Sequence, residues 1–403
     1  MRKHTSPYRN QKPGSSLIRV LYQPEQQQTR NNSNEKKRNN FSPIRFILNS
    51  RHNSFEYNTT KQPQIKQSII STLNRKHFQL QYIIGIGGFG RVWKVIYKQQ
   101  YYAMKEMSKA LVIYKRSVAS VINELRLLQN LNHSFIVNAV AAFQDKQNIY
   151  LILDYLQGGD LRYHLGRNRR FNEEQTKFFI CCVIVGLEYL HQHRIIHRDL
   201  KPENLVLDSK GYVRITDLGV AKQLDTFQID TSGTPGYMAP EVMCGLEHGI
   251  PADYYSLGVI AYELMYGKRP YYGQNRKEIR DAILSKQVQI KQKLEGWSLD
   301  AIDFINKLIQ RKPSHRLTDV KNHPWIRDYP WDKLNNKAIQ APYVPLNNDN
   351  FDVTQIQYED QENQLIINQT SFLISQNQNV FDEYYYEKEQ KRRSSLNRSF
   401  LIK

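Results

Sequence analysis

His197-Arg198-Asp199-Leu200-Lys201-Pro202-Glu203-Asn204 gathers four chemically distinct groups within eight residues. Asp199 is a carboxylate able to accept a proton from an incoming hydroxyl. Lys201 is an ammonium able to neutralise charge on a phosphoryl group in transit. Asn204 offers an amide oxygen to a hard cation such as Mg²⁺, and His197 can brace the loop. Eighteen residues after Asp199, behind the strand-like Tyr212-Val213-Arg214-Ile215, comes Asp217-Leu218-Gly219. Asp217 is a second hard oxygen ligand at a distance in sequence that a hairpin can close.

Working outward toward the N-terminus, Gly85-Ile86-Gly87-Gly88-Phe89-Gly90-Arg91-Val92 lies between two runs of strand character. A G-x-G-x-x-G triplet alone is weak. Its setting between strands points to a loop folded over phosphates, whereas a dinucleotide-binding loop opens a helix. Without side chains, the loop's N–H groups can approach phosphate oxygens closely. The next strand carries Tyr102-Ala103-Met104-Lys105. A lysine leaving a strand is usually a solvated charge, but here it follows the loop at the spacing needed to reach phosphates. Such an ammonium needs an anionic partner to hold it. Glu124, 19 residues on and in a helical segment, supplies one.

Around these motifs the texture of the chain divides in two. Short β-rich runs occupy 78–85, 90–97, 101–107, 137–143 and 149–154, interrupted by a helical pattern over 117–131. Beyond Tyr155 helical patterns dominate, with Asn172-Glu173-Glu174 opening a long one and others over 253–266, 276–285 and 299–310. The expected fold class is therefore α+β and bilobal: a small antiparallel-sheet lobe with one helix, then a larger, mainly helical lobe.

At this point the sequence resembles the eukaryotic protein kinase family, over roughly 78–325. Ala239-Pro240-Glu241 closes the segment expected to control activity, and Arg316 matches the buried arginine that pairs with Glu241. Asp253 matches the aspartate that holds the catalytic loop's backbone. The resemblance implies catalytic roles for Asp199, Lys201, Lys105, Glu124 and Arg198. It implies nucleotide contacts from Gly85, Gly87, Gly88, Phe89, Gly90, Val92, Ala103, Lys105, Asp154 and Leu156. Asn204 and Asp217 become the metal ligands, with ATP and Mg²⁺ the cofactors. Leu218 replaces the usual Phe with another large apolar group. Lys201 and Gly233-Thr234-Pro235 look like the serine/threonine class.

Within that family the chain is similar to the AGC branch, and most to the YANK (serine/threonine kinase 32) group, through Gly158-Gly159-Asp160-Leu161-Arg162-Tyr163-His164-Leu165. Trp331-Asp332-Lys333-Leu334, Pro342-Tyr343-Val344-Pro345 and Asn350-Phe351-Asp352 look like an AGC C-terminal tail. Phe381-Asp382-Glu383-Tyr384-Tyr385-Tyr386 resembles the hydrophobic motif that docks back on the small lobe, with Tyr385 in place of the usual Ser or Thr. The family's activating threonine is replaced by Asp230, a standing carboxylate expected to pair with Arg198, with Thr231 as its competitor. Asp160, Glu203 and Glu263 are expected to receive basic residues that precede the acceptor hydroxyl in protein substrates. Arg392-Arg393-Ser394-Ser395-Leu396 is such a segment within the chain itself.

The composition bounds the rest. Net charge is +19, and residues 1–74 hold 13 Lys or Arg against 3 acids. The expected organisation is a disordered basic Asn/Gln-rich tail over 1–77, a kinase domain over 78–325, an AGC-type tail over 326–387 and a basic flexible tail over 388–403. The N-terminal tail carries no nucleic-acid signature and is suited at most to peripheral contact with anionic surfaces. No apolar run is long enough to span a bilayer, and no apolar stretch follows Met1-Arg2-Lys3-His4 as in a secretory signal. Cys181, Cys182 and Cys244 form no CxxC pair, as expected for buried thiols in a reduced, cytoplasmic monomer, with the nucleus also open to it. Two other readings remain: a pseudokinase scaffold, although every catalytic position is filled, and a tail-mediated RNA- or membrane-binding module with a kinase attached.

Overall fold

The computed structural model describes residues 73–224, 231–346, 350–351 and 353–388. All of these belong to the unit Ser71–Lys403. The expectations for residues 1–72, for Asp230 and for Arg392-Arg393-Ser394-Ser395-Leu396 fall outside the described residues.

Three strands open the fold: β1 (Gln79–Gly87), β2 (Gly90–Tyr97) and β3 (Gln100–Ser108), each antiparallel to the next. The β2–β3 turn uses two residues at positive φ, Lys98 at 47° and Gln99 at 63°, the geometry that matches strand twist in a two-residue hairpin. Ser108 ends β3 and caps α1 (Lys109–Tyr114) by accepting from the Leu111 N–H. Next comes α2 (Val118–Gln129), which buries Val121, Leu125 and Leu128 along one face together with Glu124. β4 (Ala139–Gln144) and β5 (Asn148–Asp154) complete five strands, with β5 between β3 and β4.

The second lobe begins with α3 (Leu161–Asn168) and α4 (Glu173–Gln192). A capping box between Asn172 and Gln175 starts α4, and Glu173 and Glu174 complement its N-terminal dipole. Twelve of its residues are buried, so it forms the axis of this lobe. Short strands β6 (Ile195–Ile196), β7 (Leu205–Leu207), β8 (Val213–Ile215) and β9 (Lys222–Gln223) follow, pairing as β6–β9 and β7–β8. These two ribbons carry the catalytic loop between β6 and β7, and Asp217 just past β8. Of the helices α5 (Pro240–Met243), α6 (Pro251–Tyr266), α7 (Arg276–Ser285) and α8 (Leu299–Leu308), α6 packs against α4, α8 packs on α6, and α7 packs on α5. The fold is thus the expected α+β, bilobal arrangement, an antiparallel sheet lobe and a helical lobe.

The C-terminal stretch, expected as an AGC-type tail, contains regular elements. It forms α9 (Trp331–Asn335), α10 (Val353–Thr370) and α11 (Leu373–Gln376), then β10 (Tyr386–Glu387). β10 pairs antiparallel with β4 and extends the sheet to six strands, in the order β1-β2-β3-β5-β4-β10. α10 packs against α1, β1 and β2. Its Gln- and Asn-rich sequence lacks a clean apolar stripe, so only the surface beneath it makes it a helix worth forming. Phe381 and Tyr384 are buried to 1% exposure, in agreement with the docking expected of the hydrophobic motif. Cys181 and Cys182 are buried as expected, but Cys244 is exposed at the end of α5. Among the described residues, no helix is long and apolar enough to cross a membrane.

Candidate active site

Lys105 sits in the middle of β3, paired to Val92 on one side and Leu151 on the other, so two strands fix its position. Its ammonium bonds both Glu124 oxygens, at 2.8 and 2.9 Å. Burial works against the charge on Lys105, but Glu124 and then Asp217 outweigh it and lift its pKa. Burial pushes the Glu124 carboxyl up, with Lys105 opposing, so the two shifts pull in different directions; the two short bonds, on geometry, join the sheet to α2.

The hairpin Gly87–Gly90 joins β1 and β2, with Ser108 N–H donating to the Phe89 carbonyl at 2.9 Å. A Cβ on Gly90 would lie 2.1 Å from the Glu106 carbonyl oxygen, so sheet packing alone demands glycine there. A Cβ on Gly88 would meet nothing within 4 Å. Phe89, Val92 and Leu156 are half-buried against the main core, and Ala103 is part of it. Asp154 ends β5. Its carboxylate accepts from Asn138 Nδ2 at 2.9 Å and pairs with Arg214, fastening β5 to the second lobe. Any contact it makes with a nucleotide runs through its main chain.

The catalytic loop is hung from α6. Asp253, wholly buried, accepts the His197 N–H at 2.9 Å and the Arg198 N–H at 2.8 Å. Burial opposes its ionisation, yet hydrogen bonding and charge from His191 hold its carboxyl below the usual range. His197 Nε2 meets the Thr216 carbonyl at 3.1 Å, tying the loop to the strand end that precedes Asp217.

Asp199 is held from both sides. Oδ1 accepts from the Thr234 N–H at 2.8 Å and its hydroxyl at 2.7 Å, and Oδ2 accepts from Lys201 Nζ at 2.7 Å. Lys201 also reaches the Thr234 hydroxyl at 2.9 Å. Burial disfavours the Lys201 ammonium, but Asp199 more than compensates and lifts its pKa. Asn204 donates Nδ2 to the Asp199 carbonyl at 2.9 Å, which orients its amide with the oxygen remaining as acceptor. Asp217 has φ of 64°, an uncommon conformation for a non-glycine residue, and is found at functional sites. Burial pushes its carboxyl up, but Lys105, the Gly219 N–H and Lys201 outweigh this and keep it below the usual range. Leu218 behind it is 1% exposed and fills the core position expected of it.

Asp230, the expected partner of Arg198, lies outside the described residues. The Arg198 Nε donates to the Val220 carbonyl at 2.7 Å, so it braces the segment after Asp217. In the sequence Thr234 marks only the serine/threonine class. Its side chain is the inner partner of both Asp199 and Lys201. Its place one residue after a glycine and before a proline was the available signal. Arg316 bonds both Glu241 oxygens, at 2.7 and 3.1 Å, in a wholly buried pair that anchors the far end of this segment.

Among the described residues there is no group of three or more His, Cys, Asp or Glu suited to a metal. The donor set nevertheless fits Mg²⁺, which is commonly held by one or two carboxylates together with substrate phosphates and water. Asp217, kept ionised by Lys105, and the oriented amide oxygen of Asn204 are donors of that kind.

Comparison with known proteins agrees with this geometry. A family profile described as protein kinase domain matches residues 78–326. Serine/threonine-protein kinase 32B of Homo sapiens is 37% identical over 285 residues, covering 68% of this chain and 69% of the relative. The RAC family serine/threonine-protein kinase homolog of Dictyostelium discoideum is 33% identical over 354 residues, 85% of this chain and 78% of the relative. Cyclic-AMP-dependent protein kinase type 3 of Saccharomyces cerevisiae is 36% identical over 277 residues, 66% of this chain and 69% of the relative. Two other Dictyostelium discoideum kinases are matched over 62% and 60% of their own length.

Proposed function

The chain belongs to the protein kinase family, and from that premise we propose that it transfers the γ-phosphoryl group of ATP to serine or threonine hydroxyls of protein substrates. The observation that carries this reading is the Asp199–Lys201–Thr234 triangle, formed together with the Lys105–Glu124 pair. Asp199 takes the proton of the acceptor hydroxyl as its oxygen bonds to phosphorus and ADP leaves. Lys201 neutralises charge on the phosphoryl oxygens during the transfer. Lys105, positioned by Glu124, anchors the phosphates nearer the nucleoside. Packing does not require a glycine at position 88, which is consistent with a loop kept bare so that its backbone can approach a ligand. Asp217 and Asn204 would hold Mg²⁺, which would supply positive charge to offset that of the phosphates. The three acids Asp160, Glu203 and Glu263 near the catalytic loop support a preference for substrates with basic residues before the acceptor.

The test is phosphate incorporation by the purified full chain into a serine/threonine peptide library, with and without Mg²⁺. Asp199→Asn, Lys105→Met and Asp217→Ala are each expected to lose at least about a hundredfold in rate while remaining folded by circular dichroism. Near-normal activity in any of the three would sink the mechanism, and a wild-type chain that binds ATP without transferring phosphate would favour a scaffold.

A further inference from the structure

A charged cluster adjoins Asp199 without taking part in holding it. Arg162, on the first turn of α3, gives Nε to Glu203 at 2.9 Å. Its Nη1 and Nη2 go to the two carboxylate oxygens of Glu263, at 3.0 and 3.2 Å. The Tyr237 hydroxyl donates to Glu263 at 2.5 Å and also meets Arg162 Nη2. Glu203 lies on the catalytic loop four residues after Asp199, and the Tyr237 N–H closes a turn onto the Thr234 carbonyl. The cluster is thus built on the same two segments that grip the catalytic carboxylate. It is not sealed in the core: Glu263 is 6% exposed, but Arg162 is 35% and Glu203 43% exposed.

We propose that Arg162 occupies, from within the chain, the acidic subsite that a substrate arginine would otherwise enter, and so weakens the enzyme's selection of arginine there. The proposal rests on reading the cleft as a phosphotransfer site. A planar guanidinium bound bidentately to one carboxylate and singly to another already uses the geometry that makes arginine recognition specific. A substrate guanidinium must displace Arg162 from Glu263 or share Glu203. Displacement exchanges one set of charge-assisted bonds for an equivalent set, with no net gain, and adds the cost of ordering the peptide. Arg162 is tethered, so its effective concentration at the site exceeds that of a free peptide. What survives is a general attraction for basic segments, because two carboxylates face one guanidinium. Readout of arginine at one fixed position is blocked.

The experiment uses the full chain, as wild type and Arg162→Gln, with peptide pairs that differ only by Arg or Ala at one residue before the acceptor. For wild type the kcat/KM ratio within each pair is expected to stay within about threefold. In Arg162→Gln it is expected to rise about tenfold at one position, the scale of a regained paired guanidinium contact. Adding Glu263→Gln to that variant should return the ratio to the wild-type value, which a purely structural role for Arg162 would not do. The same pairs with the acceptor replaced by alanine, followed by fluorescence anisotropy, report binding even if no phosphate is transferred, so failure of the kinase reading does not mask the result. If Arg162→Gln does not fold, the wild-type ratios are decisive on their own: ratios within about threefold at every position support occupation by Arg162, and a ratio of about tenfold or more at any position, lost in Glu203→Gln, means that the acids read the substrate directly and overturns the proposal. A ratio that Arg162→Gln leaves unaltered, by kinetics and by binding, overturns the proposal.

Discussion

Single residues at this site are set by what surrounds them more than by what they are. Asp160 makes the point. It is the N-cap of α3, accepting the Tyr163 N–H at 2.8 Å, a bond that favours the ionised form. Burial, with the nearby charge of Glu203, wins over it and pushes its carboxyl up to about 6 from 3.8. A carboxyl with a raised folded pKa binds a proton more tightly folded than unfolded. Its contribution is therefore present at low pH and is lost as pH climbs through about 6. Asn caps as well as Asp does and does not titrate. Asp160→Asn should thus gain stability relative to wild type between about pH 4 and pH 7, by up to roughly 2–3 kcal/mol. Parallel denaturation curves at the two pH values would check this, and equal differences at both would contradict it.

At the scale of an element, the strand and turn at 381–387 tie the chain's end to the helix that carries Glu124. Gln144 Nε2 donates to the Phe381 carbonyl at 2.5 Å and Gln129 Nε2 to the Tyr385 carbonyl at 3.2 Å, while β10 pairs with β4. Gln129 is the last residue of α2, so the docked segment steadies the element on which the Lys105–Glu124 pair depends. Phe381→Ala is expected to destabilise the protein by about 3–5 kcal/mol, by leaving a cavity, and to lower the phosphotransfer rate as α2 loosens. Tyr384 separates packing from polarity. Its ring is fully buried, and among the described residues its hydroxyl has no hydrogen-bond partner. Tyr384→Phe should leave stability unchanged or raise it slightly, whereas Tyr384→Ala should cost about as much as Phe381→Ala. Thermal melts of the three variants would show the order, and a marked loss in Tyr384→Phe would point to a partner for the hydroxyl.

Across the whole molecule, the segment after the helical lobe is a strap that returns to the junction of the lobes. The Tyr212 hydroxyl bonds the Ile339 carbonyl at 2.5 Å, and the Tyr343 hydroxyl meets His164 Nδ1 at 2.8 Å. The other nitrogen of His164 meets the Gly158 carbonyl at 2.6 Å. Asn350, buried, donates to the Gln157 carbonyl at 3.1 Å, one residue beyond Leu156. Gly159 makes room for it: its φ is 72°, and a Cβ there would lie 2.2 Å from the Asn350 carbonyl oxygen. The Gly158-Gly159 pair thus serves the strap. Gly159→Ala should cost about 1–3 kcal/mol through backbone strain and unseat the segment around Asn350. Hydrogen exchange would report the release as faster labelling over 341–351, with α4 unaffected.

Some of this was legible in the sequence because it is local. β2 and α7 span the residues that periodicity assigns them, and the other strands of the small lobe differ by one or two residues at their ends. The fold class, the glycine loop and the clustering of Asp199, Lys201 and Asn204 follow from short-range spacing, since a turn holds neighbours together wherever it is placed. What remained hidden required contacts between segments far apart in the chain. α10 is a helix because α1, β1 and β2 cover it, and β10 is a strand because β4 offers an edge. The Asp154 carboxylate is claimed by Arg214, 60 residues away in sequence. Glu203 and Glu263 read as two free acids until the fold brought Arg162 between them, 41 and 101 residues away in sequence. Residue type and spacing determine which groups are present and which neighbours they keep. Which charges remain available to a ligand is decided only when the chain closes on itself, because a charge pairs with whatever lies within a few ångströms, however distant in sequence.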